Sequence, residues 1–239
     1  MLKYLFWFII VPALLPVVLV FWYVYHKDKY EREPLGLVLK VVLFGAIFSL
    51  VCIPVERFLE GVIYSYYGGI VSVRSEFVQN TVGVGLVEEL IKWSVVMIFV
   101  WRTDDFDFRY DGIVYSVSSA LGFAGLENIL YVLNYGTSVS IGRAIFSIPG
   151  HAAFGVFMGF YLSRAKDCEL KQNGFGRGVN LVLSVAVPVL VHGMYDFLLS
   201  DISMQTGLNS YFIFFVLIVD ILAWLFIRHE FKTDRPLGE

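Results

Sequence analysis

Apolar positions along this chain come in long unbroken blocks, not in the short periodic patterns of a soluble fold. Seven blocks of roughly 20 to 26 residues stand out, over approximately Leu2–Tyr25, Leu35–Val55, Phe77–Trp101, Gly112–Tyr135, Ile141–Ser163, Val179–Ser200 and Asn209–Arg228. A hydrocarbon core of about 30 Å asks about 20 apolar residues of a helix, so each block predicts one span. The pattern therefore predicts an all-α, polytopic membrane bundle of about seven transmembrane helices. The connections are short, which predicts one membrane-embedded domain over 1–239 with its motif-bearing core at about 77–200. Pro12, Pro16, Pro149 and Pro188 fall inside blocks, where neighbouring helices or water must satisfy the freed carbonyls. Pro149 and Pro188 precede histidines by two and four residues, where a kink would open local space.

Composition agrees with this reading. The 239 residues are 58% hydrophobic and only 16% charged, with a mean hydropathy of +0.72. A net charge of −3 without a basic patch gives no sign of nucleic-acid binding. Cys52 lies in an apolar span and Cys168 in a polar loop, with no metal-type spacing around either. The first block is too long for a signal-peptide core and lacks a small-residue cleavage site, so it reads as a retained span.

The basic residues orient the bundle. Lys27, Lys29, Arg32, Arg102, Arg109, Arg164, Lys166, Lys171, Arg177, Arg228, Lys232 and Arg235 all fall on one side, twelve of the eighteen Lys and Arg residues. Lys3, Arg57, Arg74 and Arg143 fall on the other. The positive-inside rule then predicts an outer N-terminus and a cytoplasmic C-terminus. The Tyr64–Glu76 stretch, with Tyr66 and Tyr67, suits an outer interfacial loop.

Charged residues inside spans are costly and point to function. Glu88, Glu89 and Lys92 lie in the third span, Glu127 and Asn128 in the fourth, His151 in the fifth, and His192 and Asp196 in the sixth. Counted inward at ~1.5 Å per residue, Glu88 and Glu89 lie about 17 Å from the outer end, and Glu127, His151 and His192 about 12 to 14 Å. Asp196 is shallower, at about 6 Å. Four helices thus place polar groups in one layer, which unrelated polar residues would not do.

Helical spacing adds detail. Glu88–Lys92 and Glu89–Lys92 are i,i+4 and i,i+3 pairs, so the lysine can neutralise one glutamate and leave the other available. Two adjacent carboxylates at low dielectric cannot easily both ionise, so one is suited to general-base work. His192 and Asp196 share a face, where the carboxylate can fix the imidazole tautomer. Arg143, Ser147 and His151 also share a face, which sets a cation above His151. The set Glu88, Glu89, Glu127, His151 and His192, supported by Lys92, Asn128, Arg143 and Asp196, suits activation of water. One version holds a divalent metal such as zinc between Glu127, His151 and His192, with another glutamate as base. A second has a glutamate and a histidine polarise the water directly.

Taken singly, each motif has a plain structural reading: a buried ion pair, a satisfied core histidine, polar helix glue. Asp220 has no partner motif and reads as structural or interfacial. No Gly-x-Ser-x-Gly, P-loop or His-Glu-x-x-His pattern is present. A non-catalytic membrane scaffold or chaperone, and a proton-coupled transporter, are the rival classes.

The ordered set Glu88-Glu89-x-x-Lys92, Asp111-Gly-Ile-Val-Tyr115, Phe123-x-x-x-Glu127-Asn128, Pro149-Gly-His151 and His192-x-x-x-Asp196 resembles the PrsW family of bacterial intramembrane proteases. That family is similar in turn to the CAAX prenyl endoproteases. The resemblance implies a peptidase of the bacterial cell membrane, cutting peptide bonds at or near the outer face. It implies a single-pass membrane protein substrate, an anti-sigma factor in envelope-stress signalling, with Glu88 and Glu89 catalytic and His151, His192 and Glu127 completing the site. Within the pair, Glu89 is taken as the base and Glu88 as the partner of Lys92 or a second acid.

Overall fold

A computed structural model describes residues 7, 10–27 and 32–239; Lys3 and Lys29, counted above for orientation, lie outside them. The described chain is helical, with α1 at Val11–Lys27 and α2 at Leu35–Tyr66. Val73–Val78, a π-helical segment at Gln79–Gly85 and Leu86–Phe99 run on as one helix, α3 (73–99). Next come α4 at Asp111–Tyr135 and α5 at Ser138–Leu170, the latter with a π-helical segment at Arg143–Ser147. Then follow α6 at Gly174–Leu199, the short α7 at Asp201–Thr206, and α8 at Phe212–Thr233 behind the 3-10 turn Leu208–Tyr211.

Among the described residues, five helices are long and apolar enough to cross a membrane: α2, α4, α5, α6 and α8 with its leading turn. The described part of α1 is shorter, at 17 residues. The α3 helix carries Glu88, Glu89 and Lys92 within its length, which lowers its apolarity. An all-α membrane bundle is thus the fold, with about seven long helices.

Burial sets the layering. Every residue of α4 from Asp111 to Gly125 is buried, and so is nearly all of α5 from Ile148 to Gly159. Glycine makes this contact possible: a Cβ on Gly112 or Gly159 would run into the other helix's backbone. The α2 and α8 helices instead turn large apolar side chains outward, among them Leu43, Phe58, Phe214 and Leu217. Such surface suits lipid, since hydrocarbon carries no penalty for exposed Leu and Phe. Helices α2, α4, α5, α6 and α3 pack in that order into a closed ring.

One difference from the sequence reading matters for the site. The second span was expected to stop at Val55, but α2 continues through Pro54 to Tyr66. Pro54 itself faces outward, so its ring meets no packed neighbour.

Polar ties close the basic end of the bundle. Asp111 accepts from the Asp107 and Phe108 amides at 3.0 and 2.6 Å, which starts α4 sharply after the loop. Buried Glu33 accepts from the Tyr115 hydroxyl. The Tyr110 amide donates to Asp234 at 3.0 Å, and Arg164 pairs with Glu230 at 3.0 Å.

Candidate active site

The helix ring encloses a cavity of about 930 Å³, open at the end where α4 finishes and α5 begins. Its floor is Ser49 and Cys52 from α2, Glu88 from α3, Phe123 and Glu127 from α4, His151 and Phe154 from α5, and His192 from α6. Glu76, Asn80, Tyr135, Arg143, Asp196 and Asp201 stand nearer the mouth. The polar groups from four helices therefore meet in space as well as in depth.

Their connections form one network. The Lys92 ammonium, fully buried, donates to Glu88 at 3.1 Å and Glu89 at 2.7 Å, and lies 3.0 Å from His151 Nδ1. Lysine was expected to engage one glutamate and free the other, but it engages both. An ammonium has only donors, so His151 Nδ1 accepts, which leaves the ring proton on Nε2. That nitrogen faces Glu127 Oε2 at 3.0 Å, so His151 donates to Glu127. Arg143 donates to the same Glu127 carboxylate at 2.8 Å and to Asn128 Oδ1 at 2.9 Å, with its guanidinium over the Tyr131 ring. Asn128 in turn donates to the Ala13 carbonyl at 2.7 Å, which ties α1 to the network.

His192 closes the other flank. Its Nδ1 lies 2.8 Å from Glu89, while its Nε2 lies 3.2 Å from Asp196 and 3.8 Å from Glu88. Both ring nitrogens face carboxylate oxygens, so both are placed to donate. The ring stacks on Phe154, with 4.8 Å between centroids.

The two glutamates differ in outlook. Glu88 lines the cavity, whereas Glu89 is fully buried behind it, with one oxygen held by Lys92 and His192. Glu89 Oε2 is buried and has no hydrogen-bond partner among the described residues.

Metal-binding chemistry is available. Among the described residues, one group brings ligand atoms within 4.8 Å of one another: Glu88, Glu89 and His151. Of the expected trio, only His151 belongs to it; Glu127 and His192 flank it. Carboxylate and imidazole donors suit a zinc-type divalent ion, and the spare Glu89 oxygen is one such donor. The cavity wall also carries six carboxyl side chains, Glu56, Glu76, Glu88, Glu127, Asp196 and Asp201, against the single guanidinium of Arg143. A divalent cation would offset part of that excess, although it would draw on the same lone pairs as the Lys92 ammonium.

Sequence reasoning missed Glu56. The end assigned to the second span put it outside the membrane, but the longer α2 turns it into the cavity, with its Oε1 buried and unpartnered among the described residues. Its position four residues after Cys52, which lies in an apolar span, was the available signal. The two π-helical segments were missed as well. Each ends within four residues of a site residue, Glu88 in one case and His151 in the other. Such segments often accompany functional sites.

Comparison with known proteins bears directly on this arrangement. Residues 33–224 match the family model described as PrsW family intramembrane metalloprotease. Protease PrsW of Bacillus subtilis (strain 168) is 35% identical over 230 residues, covering 96% of this chain and 97% of that protein. Protease PrsW of Oceanobacillus iheyensis is 34% identical over 225 residues, 94% of both chains. That of Geobacillus kaustophilus is 42% identical over 179 residues, 74% of this chain and 73% of the relative. No solved structure matches the chain.

Proposed function

The chain belongs to the PrsW family of intramembrane proteases, and from that premise we propose that Glu88 is the base with which it hydrolyses single-pass membrane proteins near the extracytoplasmic face. The observation supporting this reading is the cavity itself, open at one end and lined at its floor by Glu88, His151 and His192. The enzyme is a multi-pass membrane peptidase; the orientation, with the N-terminus outside and the C-terminus cytoplasmic, rests on the basic residues.

The chemistry follows from the contacts. Glu88 takes a proton from a water molecule in the cavity, and the resulting hydroxide adds to the scissile carbonyl carbon. The Nε2–H of His192, which rests against Asp196, turns to donate to the oxyanion that develops there, while Nδ1–H stays on Glu89. The proton held on Glu88 then passes to the departing amine. Glu89 thus holds His192 in place, Glu127 holds His151, and Arg143 holds Glu127 and Asn128. Lys92 keeps the two glutamates compatible as neighbours. The metal that the family description implies would be held by Glu89 and His151, with Glu127 or His192 as a further donor, which leaves Glu88 beside it as the base; zinc suits that set. Such an ion would supply Lewis-acid polarisation of the carbonyl and lower the cost of ionising water.

The proposed substrate is a single-pass anti-sigma factor, cut first on its extracytoplasmic side to start envelope-stress signalling. The position of the cavity mouth supports a cut at that face. Co-expressing the wild type, Glu88→Gln or His192→Ala with tagged anti-sigma candidates tests this by blotting. An extracytoplasmic fragment is expected with the wild type alone. Equal fragment from Glu88→Gln would contradict the base assignment, and no fragment from any candidate would contradict the substrate class.

A further inference from the structure

A second cavity lies at the opposite, basic end of the bundle. It occupies about 530 Å³ between the ends of α3, α5 and α6 and is lined by Met97, Ile98, Trp101, Arg102, Glu169 and Arg177. The catalytic network does not reach it. Its residues divide by chemistry along the membrane normal. Met97 and Ile98 sit in the last turn of α3, and Ile98 is 64% exposed, so this part of the cavity opens onto the lipid-facing surface. Beyond them stand two guanidiniums. Arg177 uses Nε on Glu169 at 2.8 Å, and no hydrogen bond or ion pair is found for Arg102 among the described residues. Lys166 adds a third cation nearby, donating to the Trp101 carbonyl at 2.7 Å and lying over its ring. One carboxylate, Glu169, therefore faces three cations, and it is already engaged.

An open apolar rail ending in under-neutralised guanidiniums suits an amphiphile with an anionic head. We propose that this cavity binds an anionic phospholipid of the leaflet at the basic end, with its headgroup phosphate between Arg102 and Arg177 and an acyl chain along Met97 and Ile98. Basic pockets between transmembrane helices are a recurrent form of such recognition. The guanidinium pair could recognise phosphate from either a lipid or free inorganic phosphate; the apolar rail is what favours the lipid.

The test is lipid binding by the purified full chain, read by native mass spectrometry after incubation with phosphatidylglycerol, phosphatidylcholine or inorganic phosphate. The wild type is expected to retain phosphatidylglycerol over phosphatidylcholine, and Arg102→Gln/Arg177→Gln to lower that preference by about tenfold. Neutralising Arg228 and Lys232, at the same end but outside the cavity, separates a site from bulk surface charge. An unchanged preference in the cavity variant, or an equal loss in the Arg228/Lys232 control, would overturn the proposal. So would displacement of phosphatidylglycerol by millimolar inorganic phosphate, which would point to a simple anion site. Both cavity residues lie outside the catalytic network, so proteolysis should persist in the variant and report that it is folded.

Discussion

Lys92 carries more of the site than its position in a Glu-Glu-x-x-Lys motif suggests. Its ammonium is shared by both glutamates and His151, with no exposure to solvent. Removing it leaves two buried carboxylates with His192 alone beside them, and a broken buried pair costs on the order of 3–5 kcal/mol. Lys92→Met is therefore expected to lower the thermal unfolding midpoint in detergent markedly, as well as to lose activity. Glu88→Gln should instead keep its hydrogen-bonding shape and unfold near the wild-type midpoint while losing about 10²-fold or more in cleavage rate. Glu127→Gln, which retains an acceptor for His151, should lose less than Glu88→Gln in the same assay. If Glu89 and His151 hold a metal, His151→Ala should reduce the metal content of purified protein measured by mass spectrometry. The sequence made all of these residues visible, but its choice of Glu89 as the base rested on no spacing that separates the two, and the cavity lining favours Glu88 instead. Adjacent helix positions point about 100° apart, and which of them meets the cavity depends on how α3 is rotated by packing and by its π-helical segment.

At the level of helices, the approach of α4 to α5 sets the distance from Glu127 to His151. Gly112 and Gly159 permit that approach, and any side chain there must push the helices apart. Gly159→Leu is expected to yield a protein that inserts but is cut rapidly by trypsin at loops the wild type protects. Wild-type-like protease resistance would show that the glycine contact is dispensable. Helix identity was legible from the apolar blocks, because hydrocarbon imposes a minimum length that few soluble segments reach. Helix ends were not. The Pro54–Glu56–Arg57 stretch looks like a terminus, yet α2 passes through it to Tyr66. The misplaced end hid Glu56 from the site.

For the molecule as a whole, the helices alternate in direction, so the cavity mouth and the basic end lie at opposite ends of the bundle. Depth counting along single helices anticipated the meeting of Glu88, Glu127, His151 and His192, because a bilayer aligns spans and turns residue number into depth. The ring order and the second cavity were beyond such counting, since they depend on which faces pack together. The most direct test of the central claim uses purified protein in proteoliposomes with a tagged single-pass substrate, comparing the wild type with Glu88→Gln over time. The account predicts a discrete product near the extracytoplasmic end of the substrate's span from the wild type and about 10²-fold less from Glu88→Gln. Cleavage at equal rates by both would contradict it, because the group facing the cavity would then not be the base.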